Sequence, residues 1–278
     1  MVKILAFDTE TSDRAPYIPG TTMWENSKKL LSIKDLKKKN SKWNTLLNKW
    51  PHIIQLAYIL YDTDHPATKT KIFNKYIDIE DDVKISEESF AIHHISKDKI
   101  KKMDSKNRSK IQDALKEFLE DVKAADIIIG HNVAFDRKMI VAEMLRLSKD
   151  LNIDDSDSDN NNNIIEMMTN KKFKCTQEIT KPICKLQQTN GQKYYKNPKL
   201  IEAYEHFFGC SPKQELLHDA LIDAIICLRV YCISLDKNAF DINHTNKTIT
   251  SYIKKITPTR CKSVTKKRKI TKRTRKIH

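Results

Sequence analysis

The sequence predicts an α/β protein with a mixed β-sheet flanked by helices. Strand-like apolar runs come first along the chain, and a later run alternates with helical segments. Strands followed by alternating strands and helices are typical of this fold class. With 278 residues, 39% of them hydrophobic, the chain is long enough to bury a substantial core.

Each predicted element follows from its own pattern. Compact apolar runs indicate buried strands, and they occupy residues 2–7, 53–61, 72–79 and 126–129. Apolar residues spaced by three and four positions indicate helices, and such segments lie near residues 111–122, 133–147 and 217–235. The last of these helical segments is almost wholly apolar.

Two segments interrupt the predicted domain, which spans residues 1–236. The first is an insertion at about residues 13–50, and the second is a loop at about residues 150–163. The loop contains the sequence DDSDSDNNNN, which cannot bury apolar surface, so we predict that it is disordered. Residues 237–278 are predicted to form a basic C-terminal tail.

The insertion contains all three tryptophans of the chain, Trp24, Trp43 and Trp50, among many lysines. Aromatic rings interleaved with cations are able to stack on bases and hold phosphates. A helical insert that packs its leucine and tryptophan side chains onto the core would give the same pattern. Both interpretations remain open at this point.

The net charge of +15 is concentrated at the C-terminus. Residues 254–278 carry twelve Lys or Arg and no Asp or Glu, and subtracting this twelve leaves +3 for the rest of the chain. Such a tail attracts nucleic acid by counterion release, or acts as a nuclear localisation signal. A solvated, disordered end is the alternative.

The six cysteines show no CxxC or Cys/His finger spacing, so we expect reduced thiols, mostly buried, and no zinc site. No apolar run approaches the roughly 18 residues of a membrane span. Asp8 interrupts the N-terminal apolar stretch too early for a secretory signal. We therefore expect a cytoplasmic or nuclear protein that is not secreted and has no membrane partner.

Asp8 and Glu10, in the run DTE, are the first candidate site residues. Side chains two apart in a strand point to the same face, so these carboxylates lie side by side after a buried run. They repel each other and resist desolvation unless a cation lies between them. An isolated DxE is usually a surface pair in a turn, so the interpretation depends on further acids.

Two further acids lie on apolar helix faces. Asp136 is in the first turn of a helix and shares a stripe with Ile140, Met144 and Leu147. Asp223 lies within ALIDAIICL on a fully apolar face, with no Lys or Arg within one turn. An ionised carboxylate in such a place needs a cation, a hydrogen-bonded partner or a proton.

His218 precedes Asp223 by five residues, at the mouth of the last predicted helix. A histidine there is often a capping or packing residue, but its unperturbed pKa of about 6.5 also suits a general base acting on water. Four carboxylates and a histidine match what two-metal phosphodiester hydrolysis requires, since hard oxygen ligands bind Mg²⁺ or Mn²⁺.

Three motifs in chain order resemble those of one nuclease family. DTETS (8–12), HNVAFD (131–136) and HDALIDA (218–224) are similar to the three exonuclease motifs of the DEDD superfamily, in the branch whose third motif has His five residues before Asp. The resemblance extends over about residues 2–235, apart from the two interruptions. It implies a ribonuclease-H-like fold with a mixed five-stranded sheet, in which residues 1–236 form the exonuclease domain.

The resemblance also implies an activity and the residues that carry it. The activity is 3′-to-5′ hydrolysis of terminal phosphodiesters by two ions, Mg²⁺ or Mn²⁺, with release of nucleoside 5′-monophosphates. The implied metal ligands are Asp8, Glu10, Asp136 and Asp223, and His218 is the implied general base. The implied substrate-binding residues are Thr11, His93, Asn132 and Phe135. His93 lies in FAIHHIS and matches the histidine of a weaker family signature, His-Gly-Ile-Thr or Ser, which helps to shape the pocket for the 3′-nucleotide.

Two residues depart from the family pattern. Asp13 stands where a glycine commonly follows the first motif, and His94 stands where the weaker signature has glycine. Both leave the implied metal ligands intact, but they affect the terminal-nucleotide pocket and hence the substrate preference. The segments WPHIIQLAYI (50–59) and YYKNPKLIEAYEHFFG (194–209) further resemble stand-alone exonucleases of large DNA viruses and eukaryotes.

The resemblance favours DNA over RNA as the nucleic-acid partner. An exoribonuclease of the same fold is the first alternative, and a non-catalytic nucleic-acid-binding module that uses the insertion and the tail is the second. A proofreading subunit bound to a polymerase, or to another replication or repair protein, is the third, with the tail as the contact.

Overall fold

The computed structural model describes residues 2–15, 49–150, 168, 171–188, 194–235 and 245–258. Most of the predicted insertion, nearly all of the predicted loop after residue 150 and the end of the tail lie outside these ranges, as do Trp24 and Trp43. The predictions for those segments stay predictions.

A six-stranded mixed sheet forms the centre of the protein. Its strands are β1 (Lys3–Thr11), β2 (Ile53–Asp62), β3 (Lys71–Ile77), β4 (Arg108–Ser109), β5 (Ile127–Gly130) and β6 (Phe173–Cys175). They lie in the order β4-β3-β2-β1-β5-β6. Strand β2 is antiparallel to β1 and β3, whereas the other neighbouring pairs are parallel.

The predicted α/β class with a mixed sheet is confirmed, but the sheet has six strands rather than five. The four apolar runs of the sequence form β1, β2, β3 and β5. Strands β4 and β6 have only two and three residues, RS and FKC. Such short and partly polar strands produce no apolar run or alternation that a sequence reading can detect.

Eight α-helices are described around this sheet. They are α1 (Glu87–His93), α2 (Lys97–Lys101), α3 (Ile111–Ala124), α4 (Ala134–Asp150), α5 (Thr176–Cys184), α6 (Leu200–Phe208), α7 (Ala220–Leu235) and α8 (Lys247–Ile256). The three helices predicted from periodicity are α3, α4 and α7. Within the described ranges, no helix has the length and apolar character needed to cross a membrane.

Helices cover both faces of the sheet, and the side chains of β1 alternate between the two helical layers. Leu5 and Phe7 pack with α3 and α4, whereas Ile4 and Ala6 pack with the layer that contains α7. Successive side chains of a strand point to opposite faces. Asp8 and Glu10 therefore continue the face covered by α7, and Thr9 continues the face covered by α4.

Helix α8 lies in the segment that the sequence assigns to the tail. Its apolar stripe of Ile249, Ile253 and Ile256 is buried in the same core as α7. The backbone N–H of Lys213 donates to the carbonyl oxygen of Ile256 at 3.0 Å. The folded body thus continues beyond residue 236, into the segment that the sequence assigns to the tail. The lysines between the isoleucines hid this short stripe in a strongly basic stretch.

Trp50, at the end of the insertion, is part of the core. It is 5% exposed and packs with β2. Arg146 of α4 donates to the carbonyl oxygen of Pro51 at 3.1 Å and pairs with buried Glu143 at 2.9 Å. Glu143 also accepts from the backbone N–H of Ile53 at 2.9 Å. The packing interpretation of the tryptophans therefore holds for Trp50.

Four of the five described cysteines follow the prediction of reduced thiols. Cys175, Cys184, Cys227 and Cys232 are free thiols, and all but Cys175 are buried. Cys210 is in a disulfide, so the expectation of reduced thiols is wrong for this residue. Its partner lies outside the described residues. A disulfide need not leave a CxxC or other local spacing motif in the sequence.

Candidate active site

Strand β1 supplies Asp8 and Glu10. Glu10 is buried, at 9% exposure, and Asp8 is half-buried. A register shift against β2 follows directly, between Glu10 and Thr11. The two carboxylates thus lie on the α7 side of the sheet, close to the point where the regular pairing of β1 ends.

Asp136 reaches the same place from the start of α4. Strands β1 and β5 are parallel, so their carboxyl ends share one edge of the sheet, and α4 begins shortly after β5. Asp136 is 4% exposed, and its Oδ1 accepts from the backbone N–H of Thr9 at 3.1 Å and from its hydroxyl at 2.8 Å. A Cβ at Gly130 would lie 2.8 Å from Cγ2 of Val133, so this tight turn requires glycine.

Asp223 lies in the first turn of α7, the helix that packs on the Asp8 face of β1. Its side chain is half-buried, and Oδ1 is buried without a hydrogen-bond partner among the described residues. A buried, unpaired carboxylate oxygen is costly unless a cation neutralises it. This oxygen is the observation that best fits a bound metal ion.

The four acids are held in an environment that opposes their ionisation. Burial is the largest cause in each case; it raises the pKa of Glu10 to about 9 and the pKa values of Asp136 and Asp223 to about 7. The pKa of Asp8 is also raised well above its usual value, by burial and then by the charges of Asp136, Asp223 and Glu10. A divalent cation would reverse this balance by favouring the ionised forms.

His218 completes the cluster. One ligand atom from each of Glu10, His218 and Asp223 lies within 4.8 Å of the others, a spacing that could hold a metal ion. The His218 side chain is exposed and its backbone is left-handed, with φ 61°. Partial burial of the ring, followed by the charges of His94 and Lys199, lowers the pKa of His218, so the imidazole is neutral and able to accept a proton at neutral pH.

Asp219 belongs to the site, although the sequence analysis did not select it. Its Oδ1 accepts from the backbone N–H groups of Leu221 and Ile222 at 3.1 and 3.2 Å and so caps α7. Its Oδ2 accepts from Gln55 Nε2 at 3.1 Å and lies 3.4 Å from the Tyr76 hydroxyl. Asp219 thereby ties the start of α7 to β2 and β3 and fixes the positions of His218 and Asp223. The sequence signal that could have identified Asp219 is an Asp residue directly before a helix.

Thr9 is the second residue that the sequence analysis missed. It stands between Asp8 and Glu10 and directs its hydroxyl to the other face, where it donates to Asp136. The first motif therefore uses both faces of β1. The carboxylates of Asp8 and Glu10 lie on one face, and Thr9 on the other face orients the carboxylate of Asp136.

His93 and Thr11, predicted to bind substrate, contact each other. The Nε2 of His93 lies 3.2 Å from the carbonyl oxygen of Thr11, and its Nδ1 accepts from the backbone N–H of Ile95 at 3.0 Å. The hydroxyl of Thr11 donates to the carbonyl oxygen of Asp13 at 2.7 Å. His93 thus contacts the backbone of the first motif itself, and a direct substrate role for either residue stays a prediction.

His94 occupies a conformation that glycine adopts most easily. It caps the C-terminus of α1 with φ 54° and ψ 30°, in the left-handed region. This explains physically why a glycine suits this position. With histidine here, an exposed imidazole is added beside the site.

Asn132 lies in the turn before α4, and Phe135 lies in the first turn of that helix. Asn132 is exposed with φ 62°, and its carbonyl oxygen accepts from the backbone N–H of Phe135 at 2.9 Å. Phe135 packs its ring partly against the core. Their predicted contacts with substrate stay predictions.

Comparison with known proteins identifies the family of this chain. The family model RNase_T, described as Exonuclease, matches residues 44–231, more than half of the chain. The chain belongs to this exonuclease family. The matched range includes the second and third motifs, whereas Asp8 and Glu10 precede it on β1, beyond the insertion. No curated protein sequence matches this exonuclease.

The chain is similar to several solved structures at low sequence identity. E. coli Exonuclease I in complex with a dA16 oligonucleotide is 12% identical, with a TM-score of 0.50, and the match covers 91% of this chain and 43% of that one. Exonuclease X in complex with 5′ overhanging duplex DNA is 14% identical, with a TM-score of 0.44 and coverages of 90% and 99%. The nuclease domain of 3′hExo, a DEDDh family member, bound to rAMP, is 13% identical, with a TM-score of 0.44 and coverages of 85% and 93%.

The comparisons confirm the coarser predictions. The fold is the predicted ribonuclease-H-like α/β fold, and membership of the family confirms an enzyme of the 3′-to-5′ exonuclease class. The non-catalytic alternative is thereby set aside. An exonuclease of this type acts on nucleic acid with divalent metal ions, for which the acidic cluster offers ligands.

A divalent metal should stabilise this exonuclease, and more at about pH 8 than at about pH 6. Folding raises the pKa values of these acids, so the folded protein holds protons that the unfolded chain releases. The stability of the metal-free protein therefore falls as pH rises from about 4, where the acids of the unfolded chain titrate, to about 7 to 9, where those of the folded protein titrate. Metal binding requires deprotonated acids and strengthens over the same range. A metal concentration 100-fold above its Kd adds about 2.7 kcal/mol.

Thermal denaturation with Mg²⁺ or EDTA at the two pH values measures this effect. Asp223→Asn, which removes the charge of one ligand, is the control and should show a smaller metal-induced rise in Tm. An equal rise at both pH values would contradict the assignment of these acids as metal ligands.

Proposed function

We propose that this exonuclease removes nucleoside 5′-monophosphates one at a time from the 3′ ends of DNA. The proposed site consists of Asp8, Glu10, Asp136, His218 and Asp223. The observation that carries the proposal is the convergence of four acids from β1, α4 and α7 around the unpaired Oδ1 of Asp223, with the His218 ring beside it.

Two Mg²⁺ or Mn²⁺ ions fit this set of donors. The four acids offer oxygen atoms, which such hard cations prefer, and a divalent cation would offset the burial and the mutual repulsion that raise their pKa values. When bound, the ions supply Lewis-acid stabilisation of the negative charge that develops at the scissile phosphate.

His218 is the proposed general base. Its lowered pKa keeps the imidazole neutral, so a ring nitrogen accepts a proton from the attacking water. The water oxygen then forms a bond to the terminal phosphorus, and the bond from phosphorus to the 3′ oxygen of the preceding nucleotide breaks. The bonding pair leaves with that oxygen, which takes up a proton, and the terminal nucleotide departs as its 5′-monophosphate.

Two neighbours keep these groups in place. Thr9 holds Asp136 through two hydrogen bonds, and Asp219 fixes the first turn of α7, which carries Asp223. Because hydrolysis depends on correct positioning of charge, residues that orient the acids are expected to affect the rate without touching substrate.

The choice of DNA rests on the resemblance of the motifs, and a matched pair of oligonucleotides tests it. Single-stranded DNA and RNA of one sequence, labelled at the 5′ end, are incubated with Mg²⁺ or Mn²⁺, and a DNA strand with a single 2′-hydroxyl at its 3′-terminal nucleotide separates sugar preference from strand shape. We expect faster shortening of the DNA. Faster shortening of the RNA would identify an exoribonuclease, and no shortening of either would contradict the proposed function.

Deleting residues 259–278 should weaken nucleic-acid binding and flatten its salt dependence without abolishing cleavage of short substrates. The deletion removes ten Lys or Arg and leaves the buried Ile256 of α8 in place. Each lost phosphate contact on a single strand reduces the slope of log affinity against log salt by about 0.7. Binding titrations at several salt concentrations measure this slope. An unchanged slope would favour localisation or a protein partner as the role of the tail.

A further inference from the structure

A cavity of about 320 Å³ lies beside the candidate active site. His218 and Asp219 form one side of it, and the rest comes from β2, β3, the segment around α2, and α8. None of the four proposed metal ligands lines it. The cavity therefore adjoins the reacting position without being part of the metal site.

The inner wall of the cavity is a polar network that is already satisfied. Gln55 Nε2 donates to Asn74 Oδ1 at 3.0 Å and to Asp219 Oδ2 at 3.1 Å, and the Tyr76 hydroxyl lies 3.4 Å from the same oxygen. Asp219 also receives two backbone N–H groups at the start of α7. Its negative charge is thus compensated within the fold.

The outer part of the cavity combines cations with aromatic rings. Lys99 Nζ lies 6.0 Å from the ring centroid of Tyr76, and Lys255 Nζ lies 5.4 Å from that of Tyr252. Neither lysine forms an ion pair with a carboxylate within the part of the chain that the structure describes. The exposed Glu215 lines the same cavity as an opposing charge.

Lysines next to partly exposed aromatic rings can bind a nucleic-acid strand. The ammonium groups attract phosphate oxygens, and a ring offers a surface on which a base stacks whatever its identity. Two of these residues, Tyr252 and Lys255, belong to α8, which begins after the family match ends at residue 231. The fold has thus brought a helix from outside the matched region to the edge of the active site.

We propose that Lys99, Tyr252 and Lys255 bind a nucleotide of the substrate strand in this cavity, adjoining the scissile phosphate. The two lysines contact phosphate oxygens and the Tyr252 ring stacks on a base. This inference rests on the proposed function, because the strand must reach His218 to be cleaved. It assigns α8 to substrate binding in addition to its packing on α7.

Lys255→Gln tests the inference, with Lys254→Gln as its matched control. Both lysines are exposed on α8 and carry the same charge, but only Lys255 lines the cavity. We expect Lys255→Gln to raise KM for a single-stranded DNA substrate about threefold to tenfold, with kcat near that of the parent. The slope of log affinity against log salt, measured in EDTA, should fall by about 0.7. Lys254→Gln should leave KM and the slope close to those of the parent.

Two further variants give independent outcomes. Lys99→Gln should raise KM by a similar factor, and Glu215→Gln should lower KM, because it removes the charge that opposes the phosphate. Thermal denaturation of each variant checks that these exposed substitutions leave the fold intact.

The failures of the two proposals are distinguishable. If the parent protein does not shorten DNA or RNA, the proposed function fails. If the parent cleaves but Lys255→Gln and Lys254→Gln have the same KM and salt slope, the cavity inference is overturned. It is also overturned if Lys255→Gln changes only the inhibition by nucleoside 5′-monophosphates, because the cavity would then bind the released product.

Discussion

Replacing Asp223 with Asn should reduce the turnover of this exonuclease by about a thousandfold or more, while DNA binding in EDTA stays near that of the parent. The substitution removes the charge of a proposed ligand but keeps its shape. Stabilisation of charge by metal ions is worth several kcal/mol, and each 1.36 kcal/mol corresponds to a factor of ten in rate. Single-turnover cleavage of labelled DNA measures the rate, and a binding titration in EDTA measures the affinity.

The stability of the same variant separates a lost ligand from a damaged fold. In the metal-free protein, Asp223 carries a buried oxygen without a partner and a pKa raised by burial and by neighbouring acids. Asp223→Asn should therefore unfold at the same or a higher temperature than the parent in EDTA. Asp8→Ala should also abolish hydrolysis. If either variant degrades DNA like the parent, the assignment of the active site is wrong.

Replacing His218 with Asn should lower kcat by about a hundredfold to ten-thousandfold, the usual contribution of a general base. Asn is a suitable replacement because it tolerates the left-handed backbone found here, with φ 61°. In the parent, kcat should fall at acidic pH as the imidazole becomes protonated, below about pH 6.5 since the pKa of His218 is lowered. The variant should lose this part of the pH profile.

The position of His218 allows a second role, which the same variant tests. A ring nitrogen of His218 lies within 4.8 Å of ligand atoms of Glu10 and Asp223, so the ring could bind metal instead of accepting a proton. Calorimetric titration with Mn²⁺ separates the roles. An unchanged metal affinity with a flattened pH profile supports the base, whereas a large loss of metal affinity would contradict it.

Much of this site could be predicted from sequence because its residues break local rules. Asp136 shares the core-facing stripe of Ile140, and Asp223 interrupts the most apolar helix of the chain. Each violates the expectation that charges avoid buried faces, so each indicates a compensating partner. The alternation of β1 correctly placed Asp8 and Glu10 on one face.

The residues that the sequence did not reveal obey local rules. Thr9 is an ordinary strand residue and Asp219 an ordinary helix cap; their importance lies in contacts with Asp136 and with Gln55, more than a hundred residues away in each case. Helix α8 was hidden for a related reason, because its apolar stripe is short and lies at the start of the basic C-terminal stretch. Only the three-dimensional fold shows that this stripe packs on α7 and that Lys255 lines the same cavity as His218.

The most direct test of the central claim is a cleavage assay on one DNA strand labelled at its 5′ end, with Mg²⁺, with Mn²⁺ and with EDTA. The assigned site predicts a ladder of products that shorten from the 3′ end, with release of nucleoside 5′-monophosphates, only when metal is present and not with Asp223→Asn. Equal shortening in EDTA, or by Asp223→Asn, would contradict the claim that these acids form a metal-dependent active site.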